Sequence, residues 1–370
     1  MLGSTMEPVT HMLTGACLAR AGFNRRARYA TLAMTLAAEA PDLDVLYQFG
    51  GPLRAFQHHR GWTHSLLGLP LEAAVVVCAV ALFHFGSERW KRRPGARQKR
   101  HLHDDKAPLR WFELWLISLL ALLSHIFLDW TNNYGVRPFA PFNPHWYEGS
   151  FVFIFEPVIF ALLVAGLVLP WLFSLTDSEV GVRSKPFRGR GFAIVALVGV
   201  VAVWGYRWVQ HDKAEEIART TEYQDRAPIL KMTLSAYPIN PYRWYAVVET
   251  PAYFQTGVVD TRTGEMESTP QDLFWKPQTT LATLAAKRSW LGHIYLDWSQ
   301  YPLVVDEGPA ALDGPDAALH KVTFRDLRFM FDNVIYNGRQ TPVLTGTAYV
   351  NANNQVVRTE IDHHVQKGSE

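Results

Sequence analysis

A small set of polar side chains stands where the surrounding sequence would favour apolar ones. Thr10-His11 opens one apolar stretch, Pro41-Asp42-Leu43-Asp44 closes a second, and His58-His59-Arg60-Gly61-Trp62-Thr63-His64-Ser65 runs straight into a third. His125 and Asp129 lie four residues apart inside a fourth, so they share one face of a helix. Glu156-Pro157 lies within the next. Imidazoles and carboxylates gathered at one depth are the ligand set of Zn²⁺ or a similar divalent ion. The candidate ligands are His11, Asp42, Asp44, His59, His64, His125 and Asp129. That set exceeds one tetrahedral site, which leaves a carboxylate-bridged pair of ions open. A bound ion would lower the pKa of its water and make hydroxide available near neutral pH. Arg60 suits a phosphoryl oxygen, since guanidinium offers a planar fork of donors, and with Glu156 it completes the catalytic candidates.

Each residue has a plainer alternative. Asp42 and Asp44 could be turn residues, His11 an interface histidine, Arg60 an interface edge and His58 a solvated neighbour. Thr63 or Ser65 is expected to cap the following helix. Trp62, Trp130, Trp146 and Tyr147 read as an interfacial aromatic belt, Glu72 as structural, and Glu39 as a residue that caps or solvates the hairpin. His125 and Asp129 resist such a reading best, because an ionisable pair inside a spanning helix is costly and usually functional.

The elements that must position these groups are apolar and long. Roughly Leu66–Phe85, Phe112–Trp130, Phe151–Phe173 and Gly191–Val209 each approach the roughly 20 residues a bilayer requires. Val9–Ala19 and Tyr29–Ala40 are shorter and suit a helical hairpin. No signal peptide is evident at the start of the sequence, and Met6 could be the true start. The 370 residues are 48% hydrophobic and 19% charged, which excludes a disordered or fibrous chain. The net charge of +2 hides an asymmetry: residues 1–210 carry 21 Lys/Arg against 14 Asp/Glu, and residues 211–370 carry 15 against 20. The basic excess sits in loops between apolar runs, so it argues for membrane topology and against nucleic acid.

Gly86–Arg110 holds nine Lys/Arg and Leu175–Arg190 four, whereas Thr131–Ser150 holds only Arg137. The first two loops are therefore expected inside, and the third, with everything after Val209, outside. That orientation, derived from loop charge alone, puts every candidate ligand at the outer end of its segment. Cys17 and Cys78 both lie in apolar stretches and suggest no disulfide framework.

From His211 onward, short alternating runs (Ala246–Val248, Gly257–Asp260, Val343–Val350, Val356–Ile361) alternate with turn signals at Asn240-Pro241, Arg262-Thr263-Gly264, Asn337-Gly338 and Asn351–Asn354. Leu281–Trp298 could be one amphipathic helix. His293, Asp297 and His363-His364 read as surface residues. The expected architecture is thus an α-helical integral membrane domain over 1–210, with about four spans and the N-terminal hairpin, followed by a mostly β soluble domain over 211–370.

At Thr10-His11 with Gly15, Pro41-Asp42-Leu43-Asp44, His59-Arg60-Gly61-Trp62-Thr63-His64-Ser65, and His125–Asp129 continuing to Thr131, Tyr134-Gly135 and Pro141-Phe142, the sequence resembles the YdjM-like (LexA-binding, inner-membrane) family. Glu156-Pro157 looks like that family's later acidic-Pro pair, with Glu in place of Asp. The resemblance covers roughly residues 6–175. It implies a metal-dependent hydrolase of the bacterial inner membrane, distantly related to helical zinc phospholipase C and P1-type nucleases. The expectation is a membrane-bound enzyme acting on a phosphoester, with membrane lipid as partner. Two alternatives stand beside it. One is a non-catalytic, metal-stabilised scaffold or sensor whose outer domain binds a partner. The other is a transporter, which the few spans and missing inverted repeat disfavour.

Overall fold

The computed structural model describes residues 2–92, 107–179, 189–311, 314, 316–331 and 342–366. The basic residues Arg93, Arg97, Lys99, Arg100, Lys106, Arg183, Lys185 and Arg188, and the Asn337-Gly338 turn, lie outside the described residues. The chain divides into two compact units: 1–43 with 60–206, and 44–59 with 207–370.

The helices, in chain order, are α1 (Leu2–Ala21), α2 (Ala30–Ala37), α3 (Pro52–His58), α4 (Leu69–Lys91), α5 (Trp111–Thr131), α6 (Pro157–Glu179), α7 (Arg190–Thr220), α8 (Leu281–Arg288) and α9 (Trp290–Trp298). Among the described residues, α4 and α5 of the first unit, and α7, which begins there and ends in the second, are long and apolar enough to cross a membrane. The fourth expected span is shorter: α6 is apolar over Pro157–Phe173, and the helix starts only at Pro157. Proline suits that first helical position, because its missing N–H would have no partner there. The residues before it leave the helical path to serve α5. Gly149 and Val152 donate backbone N–H groups to the Trp130 and Thr131 carbonyls, at 2.6 and 3.0 Å, so the end of α5 is hydrogen-bonded rather than bare.

The expected N-terminal hairpin is present as α1 and the short α2. Small residues line its interior: Ala19, Ala30, Ala33, Ala37 and Ala38 are buried. A methyl group on Gly15 would collide with the Met34 carbonyl oxygen and the Ala38 β-carbon, so the two backbones meet only because residue 15 has none. α5 packs on α1, α2 and α4 around this core.

The second unit carries two antiparallel sheets. The first runs β1 (Lys231–Ala236), β2 (Arg243–Glu249), β3 (Tyr253–Asp260) and β4 (Glu265–Glu267), with β5 (Leu273–Trp275) also on β3. The second contains β6 (Pro302–Pro309), β7 (His320–Asp326), β8 (Gly346–Val350), β9 (Val356–Ile361) and β10 (His364–Val365) in the order β10-β9-β8-β7-β6. Ala246–Val248, Gly257–Asp260 and Val356–Ile361 fall within β2, β3 and β9, whereas the run expected over Val343–Val350 is a strand only from Gly346. The single helix expected over Leu281–Trp298 is two. Ser289 is extended and its Oγ accepts the Gly292 N–H at 3.2 Å, so a new helix is capped where the old one ends. α3 packs on α9 and β9 in this unit.

Candidate metal centre

α5 sets the site. His125 and Asp129, one turn apart and fully buried, face the end of α2. His125 Nδ1 lies 2.7 Å from the Ala38 carbonyl oxygen. A carbonyl only accepts, so Nδ1 carries the proton and Nε2 is left to bind something else. His64 arrives on a 3-10 turn, Trp62–His64, ahead of α4. Ser65 Oγ donates to the Trp62 carbonyl at 2.7 Å and accepts the Gly68 N–H at 3.1 Å. Ser65 therefore locks the turn that holds His64. The helix itself is capped at Gly68, so neither Thr63 nor Ser65 has the expected N-cap position. Asp42 lies in the first turn of the 3-10 segment Ala40–Gly50 and is the only one of the four side chains that reaches the surface, 19% exposed.

These four side chains converge: among the described residues, Asp42, His64, His125 and Asp129 each bring one ligand atom within 4.8 Å of all the others. The two Nε2 atoms are 3.1 Å apart. Asp129 Oδ2 is 3.2 Å from His64 Nε2 and 3.4 Å from His125 Nε2. Asp42 Oδ1 is 3.5 and 3.6 Å from the same atoms. These are five of the six edges of a four-donor set, and a regular tetrahedron with edges of that length has its centre about 2.1 Å from each vertex, the length of a Zn–N or Zn–O bond. Two imidazole nitrogens face to face, flanked by two carboxylates, form a donor set that positive charge between them would satisfy. One divalent ion supplies it to all four donors at once, and the residues therefore fit a metal. Outside the spanning helices the electrostatics agree. Burial alone would depress His64, but the Asp129 and Asp42 carboxylates overcome it and hold the imidazole above its ordinary range. Burial would raise Asp42, yet His125 and His64 hold it below the usual carboxylate range.

Asp129 is oriented from behind. Its Oδ1 accepts Arg60 Nη2 at 2.9 Å, while its buried Oδ2 has no hydrogen bond. Arg60 Nη1 donates to Asn132 Oδ1 and the Gly135 carbonyl, at 3.2 and 3.1 Å, and the guanidinium lies over Tyr134. The fork expected to take a phosphoryl oxygen is thus occupied by the turn after α5, and what it holds is a ligand carboxylate. Arg60 has φ 49, in the left-handed region unfavourable for any residue with a side chain, a strain characteristic of functional sites. The expectation missed Asn132 and the Ala38 carbonyl. A backbone acceptor leaves no mark in a sequence, although Asn132 does fall within the run from Asp129 to Gly135.

His11, on α1, stacks on His125 with ring centroids 3.8 Å apart. Its Nε2 is 3.3 Å from Asp129 Oδ1 without hydrogen-bond alignment, and neither ring nitrogen has a hydrogen bond. His11, Asp129 and Glu156 line a cleft of about 30 Å³, room for one water. Asp44 and His59 fall in the second unit, where they pair at 3.2 Å. Glu39 was expected to cap or solvate the hairpin, yet its Oε2 is buried without a hydrogen bond, and burial followed by the Asp42 charge pushes its carboxyl up to about 8. Trp146, expected in the aromatic belt, is buried beneath Arg137 at 4.4 Å. His293, Asp297, His363 and His364 are exposed as expected.

Over part of its length the chain is 26% identical to the uncharacterized protein YfhP of Bacillus subtilis (strain 168), across 172 residues. That match takes in 44% of this chain and 46% of the relative, so the chain spans about half the length of that curated protein. No solved structure matches the chain. The family model for the YdjM inner membrane protein matches residues 6–214, a stretch that contains α4, α5, most of α7, the histidine-carboxylate group and the arginine behind it. The chain belongs to the YdjM inner membrane protein family.

Proposed function

We propose that this membrane protein is a metal-dependent hydrolase acting on a phosphoester, with one divalent ion, most suitably Zn²⁺, held by Asp42, His64, His125 and Asp129. The observation that carries this reading is the convergence of those four donor atoms, all within 4.8 Å of one another. When bound, the ion would polarise a phosphoryl oxygen and lower the pKa of a water. The chain's own groups do the rest. Ala38 and Arg60 fix the orientation of His125 and Asp129, and so act as positioning groups. Glu156 lines the one-water cleft beside Asp129, where its carboxylate is placed to take a proton from water. His11, with both ring nitrogens free of hydrogen bonds, is a second acceptor there and the donor that a second ion would use. Asp42, the partly exposed ligand, marks the side from which substrate approaches.

In this reading α6 makes a fourth crossing of the bacterial inner membrane. The second unit lies on the extracytoplasmic side, with the metal group at the outer face, as the loop charges suggest.

One observation favours a second reading. Four protein donors complete a tetrahedron, and closed sets mark structural zinc sites, whereas catalytic ones keep a position for water. A metal-stabilised scaffold or sensor would have this arrangement. The two readings separate in one assay: detergent-solubilised protein with generic phosphodiester and phospholipid substrates, with and without chelator. The hydrolase reading expects chelator-sensitive turnover that Asp129→Asn abolishes together with the metal. Tight metal without turnover on any substrate supports the scaffold. Cleavage of an amide or carboxylic ester retains the hydrolase and removes the phosphoester.

A further inference from the structure

Loops that close a helix bundle are ordinarily polar, because their residues meet water. Around this metal group they are apolar and exposed. Leu43 follows the ligand Asp42, and Trp62 shares a turn with the ligand His64. Leu66 and Leu67 lead from that turn into α4, and Phe139 and Phe142 lie in the loop after α5. Phe142 is 84% exposed. The two loops are joined: the Leu66 N–H donates to the Pro138 carbonyl at 2.8 Å. Five large apolar side chains on two joined loops, with Leu43 beside the candidate ligand Asp42, form a patch, not the scattered apolar residues of an ordinary surface.

The patch runs on into an exposed apolar face of a membrane-length helix. Leu67, just before α4, is followed at four-residue spacing by Leu71 and Val75 on one exposed face of that membrane-length helix. The backbone of the Phe loop is also suited to low polarity. Ala140 N–H donates to Arg137, and Phe142 and Asn143 N–H to Phe139, at 3.2, 3.1 and 3.0 Å. Irregular backbone is tolerated near the hydrocarbon only when such groups are bonded within the protein.

We infer that Leu43, Trp62, Leu66, Leu67, Phe139 and Phe142 form a rim seated in the lipid interface, and that the metal group takes its phosphoester from a phospholipid of that bilayer. The rim stands on the exposure and hydrogen bonding above. The lipid substrate rests in addition on the hydrolase reading. Asp42, flanked by Leu43, is the ligand a headgroup would meet on leaving the bilayer.

The test uses the full chain reconstituted in phosphatidylethanolamine–phosphatidylglycerol vesicles. In a Cys78→Ser background, nitroxide labels are placed at Phe142→Cys and Leu67→Cys, since Cys17 is buried and Cys78 exposed. Both labels should relax preferentially with oxygen rather than with a water-soluble nickel chelate. The reverse overturns the rim. Phe142→Asp should slow cleavage of vesicle phospholipid by more than about tenfold while leaving a soluble phosphodiester in detergent within about twofold. Equal effects on both substrates overturn the role of the rim in delivery. A wild-type chain that cleaves the soluble diester but no phospholipid overturns the lipid substrate and leaves the hydrolase standing. One that cleaves neither overturns the hydrolase reading and the lipid substrate with it, while the labels still decide the rim.

Discussion

At the scale of single residues, Arg60 shows how chemistry and position interact. Its guanidinium joins Asp129 to Asn132 and the Gly135 carbonyl. With Oδ1 held by Arg60, Oδ2 is the oxygen left to face His64 and His125. Lysine keeps the charge but offers a point donor that cannot reach all three acceptors in one plane. Arg60→Lys should accordingly weaken metal affinity by about 10- to 100-fold, the range found when outer partners of a metal ligand are lost. Competition with a chromogenic chelator measures this, and an unchanged affinity would return Arg60 to a role on substrate. Residue types were the part of the site most open to reading from sequence. His64, His125, Asp42 and Asp129 were all identifiable because each stands in or beside an apolar run with no packing reason to be polar. What the sequence withheld was pairing. His59 and Asp44 have the same chemistry, yet face each other in the second unit.

At the scale of elements, the site depends on how closely α1 approaches α2. Ala38 at the end of α2 orients His125, and His11 on α1 stacks on the same ring. Gly15 permits both, since it meets Met34 and Ala38 without a side chain between. Gly15→Ala should force the helices apart, at a cost of about 1–3 kcal/mol typical of overpacking. The same change should reduce bound metal although residue 15 touches no ligand. Thermal melts and metal content of the variant check the two effects, and a variant with wild-type values in both would show the approach to be dispensable. Helix existence was legible from apolar length, but helix limits were not. α6 begins at Pro157 because the residues before it hydrogen-bond to the end of α5. Leu281–Trp298 breaks at Ser289 because that serine caps α9. Both are decided by hydrogen bonds to a particular partner, which periodicity does not encode.

At the scale of the whole molecule, two properties can be tested independently of catalysis. Loop charge predicts that reporters fused after residue 215 are active outside the cytoplasm, and those in Gly86–Arg110 inside it; cytoplasmic activity after residue 215 would invert the topology. The second unit owes part of its stability to a buried pair, Asp326 with Arg328 at 2.9 and 3.0 Å, which Ser299 and the Gln300 N–H also join. Burial would raise the Asp326 carboxyl, but Arg328 overcomes it and holds it below the usual range. A depressed carboxylate stabilises the fold above its unfolded value of about 3.9, and that contribution disappears as pH falls through the folded value. Asp326→Asn should cost about 3–5 kcal/mol at neutral pH by leaving the guanidinium without its carboxylate, and the difference from wild type should shrink in acid. Denaturant titrations of the full chain at several pH values measure it, and a pH-independent difference would contradict the pairing. The central claim is the metal itself. Its most direct test is the metal content, by mass spectrometry, of wild-type and His125→Ala protein purified in detergent without chelator. The account predicts about one equivalent of a divalent ion in the wild type, by the four-donor geometry of zinc sites, and its loss in the variant. Equal metal in the two proteins, or none in the wild type even after dialysis against Zn²⁺, would contradict it.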